Sequence, residues 1–194
     1  MARSPVQMSF PMSLARQAIR YLAPVGLLLL SGCAVTPSAG KHVPAPVSGQ
    51  VLPVERFRTP QPGIYSGGRI GVEDLGALKA AGIAHVIDLT ADSETPGFDE
   101  AAAVQERGMG YDNLPIRGAD ALTPDSVKAF DQLLREARRP LLVHCASGNR
   151  VGALAAMRAS LIEGMPVEDA IAEGRRWGLG SLEAEVRRRI QAGR

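Results

Sequence analysis

The sequence predicts an α/β domain, a mostly parallel β-sheet flanked by helices. Short apolar runs alternate along the chain with longer segments whose apolar residues recur at helical spacing. The runs at 84–89 and 140–144 are almost continuously apolar, which is typical of strands buried on both faces of a parallel sheet. A chain of 194 residues suffices for one such domain.

The strands and helices follow in alternating order from residue 63. An edge strand is expected at 63–70, then a helix at 72–81 because Val72, Leu75 and Leu78 share one face before Gly82. The remaining strands are predicted at 84–89, 110–116 and 140–144. Helices are predicted at 98–107, 123–138 and 150–163, and two more begin at Pro166 and at a Ser181 cap.

The first 32 residues are predicted to be a secretion signal. Three arginines precede the apolar run 22–30, which is too short to cross a bilayer. The following Leu30-Ser31-Gly32-Cys33 resembles the lipobox of bacterial lipoproteins. That resemblance implies that Cys33 is lipidated and becomes the mature N-terminus.

Residues 33–62 are predicted to be a lipidated tether. Six prolines interrupt residues 34–62, and such a composition buries too little apolar surface to fold. The folded domain is therefore expected at 63–194. The resemblance also implies a bacterial envelope location, with a lipid anchor in the membrane. Ala34 after Cys33 resembles the pattern that sorts lipoproteins to the periplasmic face of the outer membrane.

Charge and histidine content exclude two other classes of function. The chain has 22 basic and 20 acidic side chains, and cleavage before Cys33 leaves 19 basic ones. A near-neutral chain offers few contacts to phosphate backbones, so nucleic-acid binding is not expected. The three histidines show no metal-ligand spacing, and we predict no metal and no cofactor.

The chemistry is expected where strand 140–144 ends. Cys145 follows that strand, and Ala146, Ser147, Gly148 and Asn149 lead into a helix with Arg150. Amide groups at a helix start, its positive end and a guanidinium all favour negative charge, so the thiol should ionise easily and a tetrahedral oxyanion should bind beside it. These residues predict a thiolate enzyme acting on phosphate-like groups. The adjacent His144 is expected to be a hydrogen-bonded core residue.

Residues 144–150, with the pattern from Gly63 to about residue 180, resemble the cysteine-dependent dual-specificity and tyrosine phosphatases. The likeness is greatest to the bacterial beta-lactamase-hydrolase-like branch. It implies a three-layer fold and a phosphorylated substrate, with Cys145 as nucleophile, Arg150 and residues 146–149 binding the phosphoryl group, and an aspartate on another loop as general acid. Asp120 follows the corresponding strand and is the candidate acid.

Two features leave other functions open. Four residues separate Cys145 from Arg150, whereas these phosphatases commonly have five, and rhodanese-like sulfurtransferases also use a six-residue loop. Val151 replaces the Ser or Thr that usually supports the leaving thiolate, although Ser147 is a possible substitute. The alternatives are sulfur transfer through a Cys145 persulfide and a non-catalytic anion-binding module.

Overall fold

A computed structural model describes residues 53–193, and within them five strands form one sheet. Along the sheet they stand in the order β1-β2-β5-β3-β4. Strand β1 is antiparallel to β2, and every other neighbouring pair is parallel. The strands are β1 (Arg58–Gln61), β2 (Ile64–Gly67), β3 (His85–Asp88), β4 (Gly110–Asn113) and β5 (Leu141–His144).

Six helices connect and follow these strands, which confirms the predicted α/β class. They are α1 (Val72–Ala80), α2 (Glu100–Glu106), α3 (Pro124–Glu136), α4 (Asn149–Leu161), α5 (Val167–Trp177) and α6 (Glu183–Ala192). Short 3-10 helices cover Pro53–Arg56, Asp92–Glu94 and Ala119–Ala121.

The helices lie in two layers because strand side chains alternate between the faces of the sheet. On β5, Leu142 packs into a cluster with Leu75 and Leu78 of α1 and Val104 of α2. Its neighbours Leu141 and Val143 belong to a larger cluster with residues of α3, α4, α5 and α6. The result is a three-layer sandwich with β5 at its centre, buried along its whole length.

The start of the folded domain differs from the prediction. The predicted edge strand 63–70 is β2, which pairs on both sides, and the edge is formed by β1 within the predicted tether. Pro60 lies in β1, and an edge strand tolerates proline because one side of it needs no ladder hydrogen bond. Phe57 is buried as well, so the proline content of 53–62 was misread as unfolded.

Two glycines bring α4 and α5 into backbone contact. A Cβ on Gly152 would lie 2.0 Å from the Leu179 amide nitrogen and 2.7 Å from the Gly174 carbonyl oxygen. A Cβ on Gly174 would lie 2.7 Å from the Gly152 carbonyl oxygen. Helix α4, whose first turn follows Cys145, is thereby held against α5.

The predicted signal, Cys33 and the tether up to residue 52 lie outside the described residues. Within residues 53–193, no helix has the length and apolar character that crossing a bilayer requires.

Candidate active site

Cys145 lies at the carboxyl end of the central strand, where ligands of parallel sheets usually bind. The Cys145 amide donates to the Gly67 carbonyl at 3.2 Å, and the Leu89 amide donates to the His144 carbonyl at 2.9 Å. The ends of β2 and β3 thus fix the backbone at this point. The Cys145 side chain is fully buried.

The loop after Cys145 turns the Gly148 amide toward the sulfur. Gly148 has φ +87°, and its N–H donates to Cys145 Sγ at 3.1 Å. The Arg69 amide donates to the Ala146 carbonyl at 3.3 Å, which pins the loop to the segment after β2. Because a side chain at residue 148 would be strained at this φ, the contact to sulfur depends on glycine.

Arg150 extends from the first turn of α4 and is held by the Glu94 carboxylate and by the main-chain carbonyls of Ile116 and Leu89. Its Nη1 and Nη2 donate to Glu94 Oε1 and Oε2 at 2.8 and 2.7 Å, and Nη1 also donates to the Ile116 carbonyl at 2.7 Å. A guanidinium has five N–H donors, so the Nε–H and one Nη2–H have no carboxylate or carbonyl partner among residues 53–193. That edge matches two oxygens of a phosphoryl group.

The Arg150–Glu94 pair fixes the charge of both groups. The Arg150 hydrogen bonds lower the pKa of Glu94 to about 2, against the opposing effect of burial. The Glu94 hydrogen bonds raise the pKa of Arg150, again against burial, and the nearby Cys145 contributes in the same direction. Glu94 Oε1 also accepts the Ala91 amide at 3.0 Å, so the carboxylate is held from both sides.

A cavity of about 420 Å³ opens beside the guanidinium. Its lining residues come from the segments after β3 and β4 and from α4: Ala91, Ser93, Glu94, Arg117, Gly118 and Arg150. Arg150 lines this cavity, and Cys145 does not.

The Asn149 side chain contacts the segment after α5. Its Oδ1 accepts the Gly180 amide at 2.8 Å, and its Nδ2 donates to Ser181 Oγ at 2.7 Å. The side chain therefore ties the loop to the α5–α6 connection, and the substrate-binding role of Asn149 stays a prediction. Ser181 correspondingly does not cap α6, for which Leu182 is the N-cap residue.

Asp120 lies in the 3-10 helix that follows β4, on the loop where the acid was expected. Its side chain is fully exposed, and its carboxylate is 3.6 Å from Arg189 Nη2. Ala146 and Ser147 are also exposed, whereas Val151 is buried in the core. The general-acid role of Asp120 stays a prediction.

Glu94 was missed in the sequence because its pairing with Arg150 joins residues 56 positions apart. The sequence held only a weak signal for this role: Glu94 is an acidic residue in the loop that follows the buried strand β3.

Comparison with known proteins agrees with this geometry. A family model described as "Beta-lactamase hydrolase-like protein, phosphatase-like domain" matches residues 56–162, more than half of the chain. The chain belongs to this family.

Curated relatives are longer proteins that match part of this chain. The phosphatase-like domain is 32% identical over 83 residues to the beta-lactamase hydrolase-like protein of Agrobacterium fabrum, covering 41% of this chain and 19% of that protein. It is 33% identical over 114 residues to human dual specificity protein phosphatase 12, covering 58% of this chain and 33% of that protein. The chain thus spans a third or less of the length of these relatives.

Solved structures share the fold. A Neisseria meningitidis protein assigned as a phosphatase superposes with a TM-score of 0.60 at 25% identity, covering 71% of this chain and 97% of that one. P. aeruginosa TpbA in complex with pTyr superposes with a TM-score of 0.54 at 20% identity, covering 70% and 83%. Family and fold together support a cysteine-dependent phosphoric monoester hydrolase.

Proposed function

We propose that this chain is a membrane-anchored, cysteine-dependent phosphatase that hydrolyses phosphomonoesters through a phosphocysteine intermediate. The observation that carries the proposal is the joint position of Cys145 Sγ, the Gly148 amide that donates to it, and Arg150 in the same loop. Nucleophile and oxyanion-binding groups meet at one helix start.

In the first step, Cys145 Sγ attacks phosphorus in line with the ester oxygen. A sulfur–phosphorus bond forms, the phosphorus–oxygen bond breaks, and the leaving oxygen takes a proton from Asp120. The Nε and Nη2 edge of Arg150 and the loop amides bind the equatorial oxygens, where the charge of the transition state lies.

In the second step, water attacks the phosphocysteine and the thiolate leaves. The proton of this water passes to the Asp120 carboxylate, and inorganic phosphate is released. Val151 offers no hydroxyl to the departing sulfur, so the Gly148 N–H at 3.1 Å stabilises it instead. A main-chain donor serves this purpose as well as a hydroxyl because an N–H directed at a thiolate is a charge-assisted bond.

Phosphotyrosine is the substrate class that the structural likeness favours, since TpbA was crystallised with pTyr. The anion-binding groups recognise oxygens and accept other phosphomonoesters too. We therefore expect activity on p-nitrophenyl phosphate and on phosphotyrosine peptides, with peptide preference decided by the surface around Arg117 and Ser93.

The decisive experiment is turnover by the purified protein and its variants. Cys145→Ser should abolish hydrolysis, and mass spectrometry of the wild type mixed with substrate and rapidly quenched in acid should show phosphate on Cys145. Full activity in Cys145→Ser contradicts the proposal. Sulfur added to Cys145 by thiosulfate without any hydrolysis supports a sulfurtransferase, and vanadate binding without turnover supports a binding module.

Asp120→Asn tests the acid, with Asp125→Asn as its matched control because both aspartates are exposed and five residues apart. A general acid contributes about 10²–10⁴-fold. Asp120→Asn should lower kcat by about 100-fold for phosphotyrosine and by less for p-nitrophenyl phosphate, whose phenolate leaves with less need of a proton. Equal small effects of the two variants would assign the proton to another group.

The anchor is tested separately. Lipid labelling in cells should depend on Cys33, and Cys33→Ala should leave an unlipidated protein in the soluble envelope fraction. Labelling that persists in Cys33→Ala contradicts the lipid anchor and leaves the phosphatase proposal untouched.

A further inference from the structure

A buried polar cluster lies on the face of the sheet opposite Cys145, and we propose that it binds a first-row divalent metal ion such as Zn²⁺. The cluster consists of Asp88 at the end of β3, His144 at the end of β5 and Glu100 at the start of α2. Each offers one ligand atom, and these atoms all lie within 4.8 Å of one another. The three residues come from separate elements, which is why sequence spacing gave no metal signal.

One of the two distances from His144 Nε2 is near the value that a metal ion imposes. His144 Nε2 is 3.6 Å from Asp88 Oδ1 and 2.7 Å from Glu100 Oε1. Ligands of tetrahedral Zn²⁺ at 2.0–2.2 Å lie about 3.4 Å from one another. The His144–Asp88 separation already fits, whereas the His144–Glu100 separation reaches this value only if the Glu100 side chain rotates. Nitrogen with two carboxylate oxygens is a donor set that Zn²⁺ accepts.

The charge of the cluster favours a dication. Asp88 and Glu100 are each only 4% exposed, and His144 is fully buried. Within residues 53–193, no lysine or arginine forms an ion pair with either carboxylate. Among the same residues, Glu100 Oε2 and His144 Nδ1 have no hydrogen-bond partner. Buried charges are paired or ligate metals, and an M²⁺ ion with neutral His144 balances both carboxylates.

A second layer of donors already orients one ligand. The Thr90 amide donates to Asp88 Oδ1 at 2.7 Å, and Tyr111 Oη donates to Asp88 Oδ2 at 3.1 Å. Such partners are what a metal-binding carboxylate requires to keep its orientation. Burial and the charges of Asp88 and Glu100 raise the pKa of Tyr111, so it stays a donor.

An acidic cavity gives the ion an access route. It measures about 620 Å³ and is lined among others by Asp88, Asp92, Asp99, Glu100 and Tyr111. Asp92 and Asp99 attract a cation toward the buried ligands.

The test is calorimetric titration of Zn²⁺ into chelator-treated protein that carries Cys145→Ser, which removes the competing thiol and all turnover. We expect one ion per chain. Tyr111→Phe removes a residue that only orients a ligand, and it should weaken Zn²⁺ binding by about 10-fold, within the roughly 10–100-fold range for such residues. Glu100→Gln changes a ligand itself and should weaken Zn²⁺ binding by more than this range. Asp112→Asn is the matched control, because Asp112 pairs with His85 at the same 2.7 Å outside the cluster.

Co²⁺ provides a second measurement on the unaltered cluster, since its visible spectrum reports tetrahedral nitrogen and oxygen ligands without requiring a variant to fold. Absence of Zn²⁺ binding, unchanged binding in Glu100→Gln, or a Co²⁺ spectrum of an octahedral aquo ion each overturns the site. Because the assay uses an inactive variant, the phosphatase proposal stands or falls independently.

Discussion

Replacing Glu94 by Gln tests how Arg150 is positioned for catalysis. The substitution keeps the shape but removes the charge, and one amide N–H then faces Nη1 or Nη2 of Arg150 in place of an acceptor. The Ile116 carbonyl still holds Nη1 at 2.7 Å, so the guanidinium keeps its place and loses its orientation. The edge formed by Nε and Nη2 should then bind phosphoryl oxygens less well.

The expected size follows from the hydrogen bond that is lost. A bond between charged groups contributes about 1.5–3 kcal/mol. Glu94 is 28% exposed, which favours the lower end because water screens the pair. About 1.4 kcal/mol corresponds to a tenfold change in rate, so kcat/KM for p-nitrophenyl phosphate should fall about tenfold, mostly through KM. Glu73→Gln, an exposed glutamate of α1, serves as the control.

The pH dependence gives the same test a second readout. The pKa of Glu94 is lowered from 4.5 to about 2 in the folded chain, so the pair is intact at all pH values above 4.5. Its contribution to stability is lost as pH falls from 4.5 toward about 2. The ratio of wild-type to Glu94→Gln activity should therefore stay constant between pH 7 and 5. An unchanged or higher kcat/KM in the variant would refute the reasoning and identify Glu94 as a competitor of substrate.

Two glycine substitutions test the backbone that supports the site, and a third, in α1, is their packing control. Gly148→Ala should lower the free energy of unfolding by about 1–2 kcal/mol because residue 148 has a positive φ, and urea unfolding measures this loss. The same variant should lower kcat more than tenfold, because the amide moves away from Cys145 Sγ, and steady-state kinetics checks this. Gly152→Ala should cost about 3 kcal/mol in urea unfolding, because its Cβ meets backbone atoms of residues 174 and 179 that cannot rotate away. Gly76→Ala in α1 meets no atom within 4 Å and should stabilise the fold by up to about 1 kcal/mol, so a loss there contradicts the packing argument.

Most strands and helices could be predicted from the sequence because apolar spacing and helix-capping residues are patterns within a few consecutive residues. The apolar run before Cys145 and the proline after Thr123 placed β5 and α3 to within about two residues. The placement of Cys145 beyond a strand end followed from strand and helix alternation alone. The first strand was missed because proline content indicated a linker, and only pairing with β2 makes Arg58–Gln61 a strand.

The supporting residues of the site were not predictable in the same way. Glu94 contacts Arg150 because β3 and β5 are neighbours in the sheet, and a sequence does not fix that order. The contact of Asn149 with the α5–α6 connection was equally hidden in the sequence, because that connection lies more than 30 residues away along the chain. Both contacts depend on how distant segments of the chain pack together, which the sequence alone does not show.

The alternation of side chains along β5 places the anion-binding site and the acidic cluster on opposite faces of the sheet. Because consecutive side chains leave opposite faces of a strand, Cys145 lies among the residues of the α3–α6 layer while His144 reaches Glu100 of α2. Basic Arg150 is thereby paired with Glu94 on one side, and the acidic pair Asp88 and Glu100 is kept on the other. Had His144 and Cys145 shared a face, the two buried carboxylates would repel both the thiolate and a phosphate dianion. The alternation of the strand therefore allows an anion site and a cluster suited to a cation to lie one residue apart.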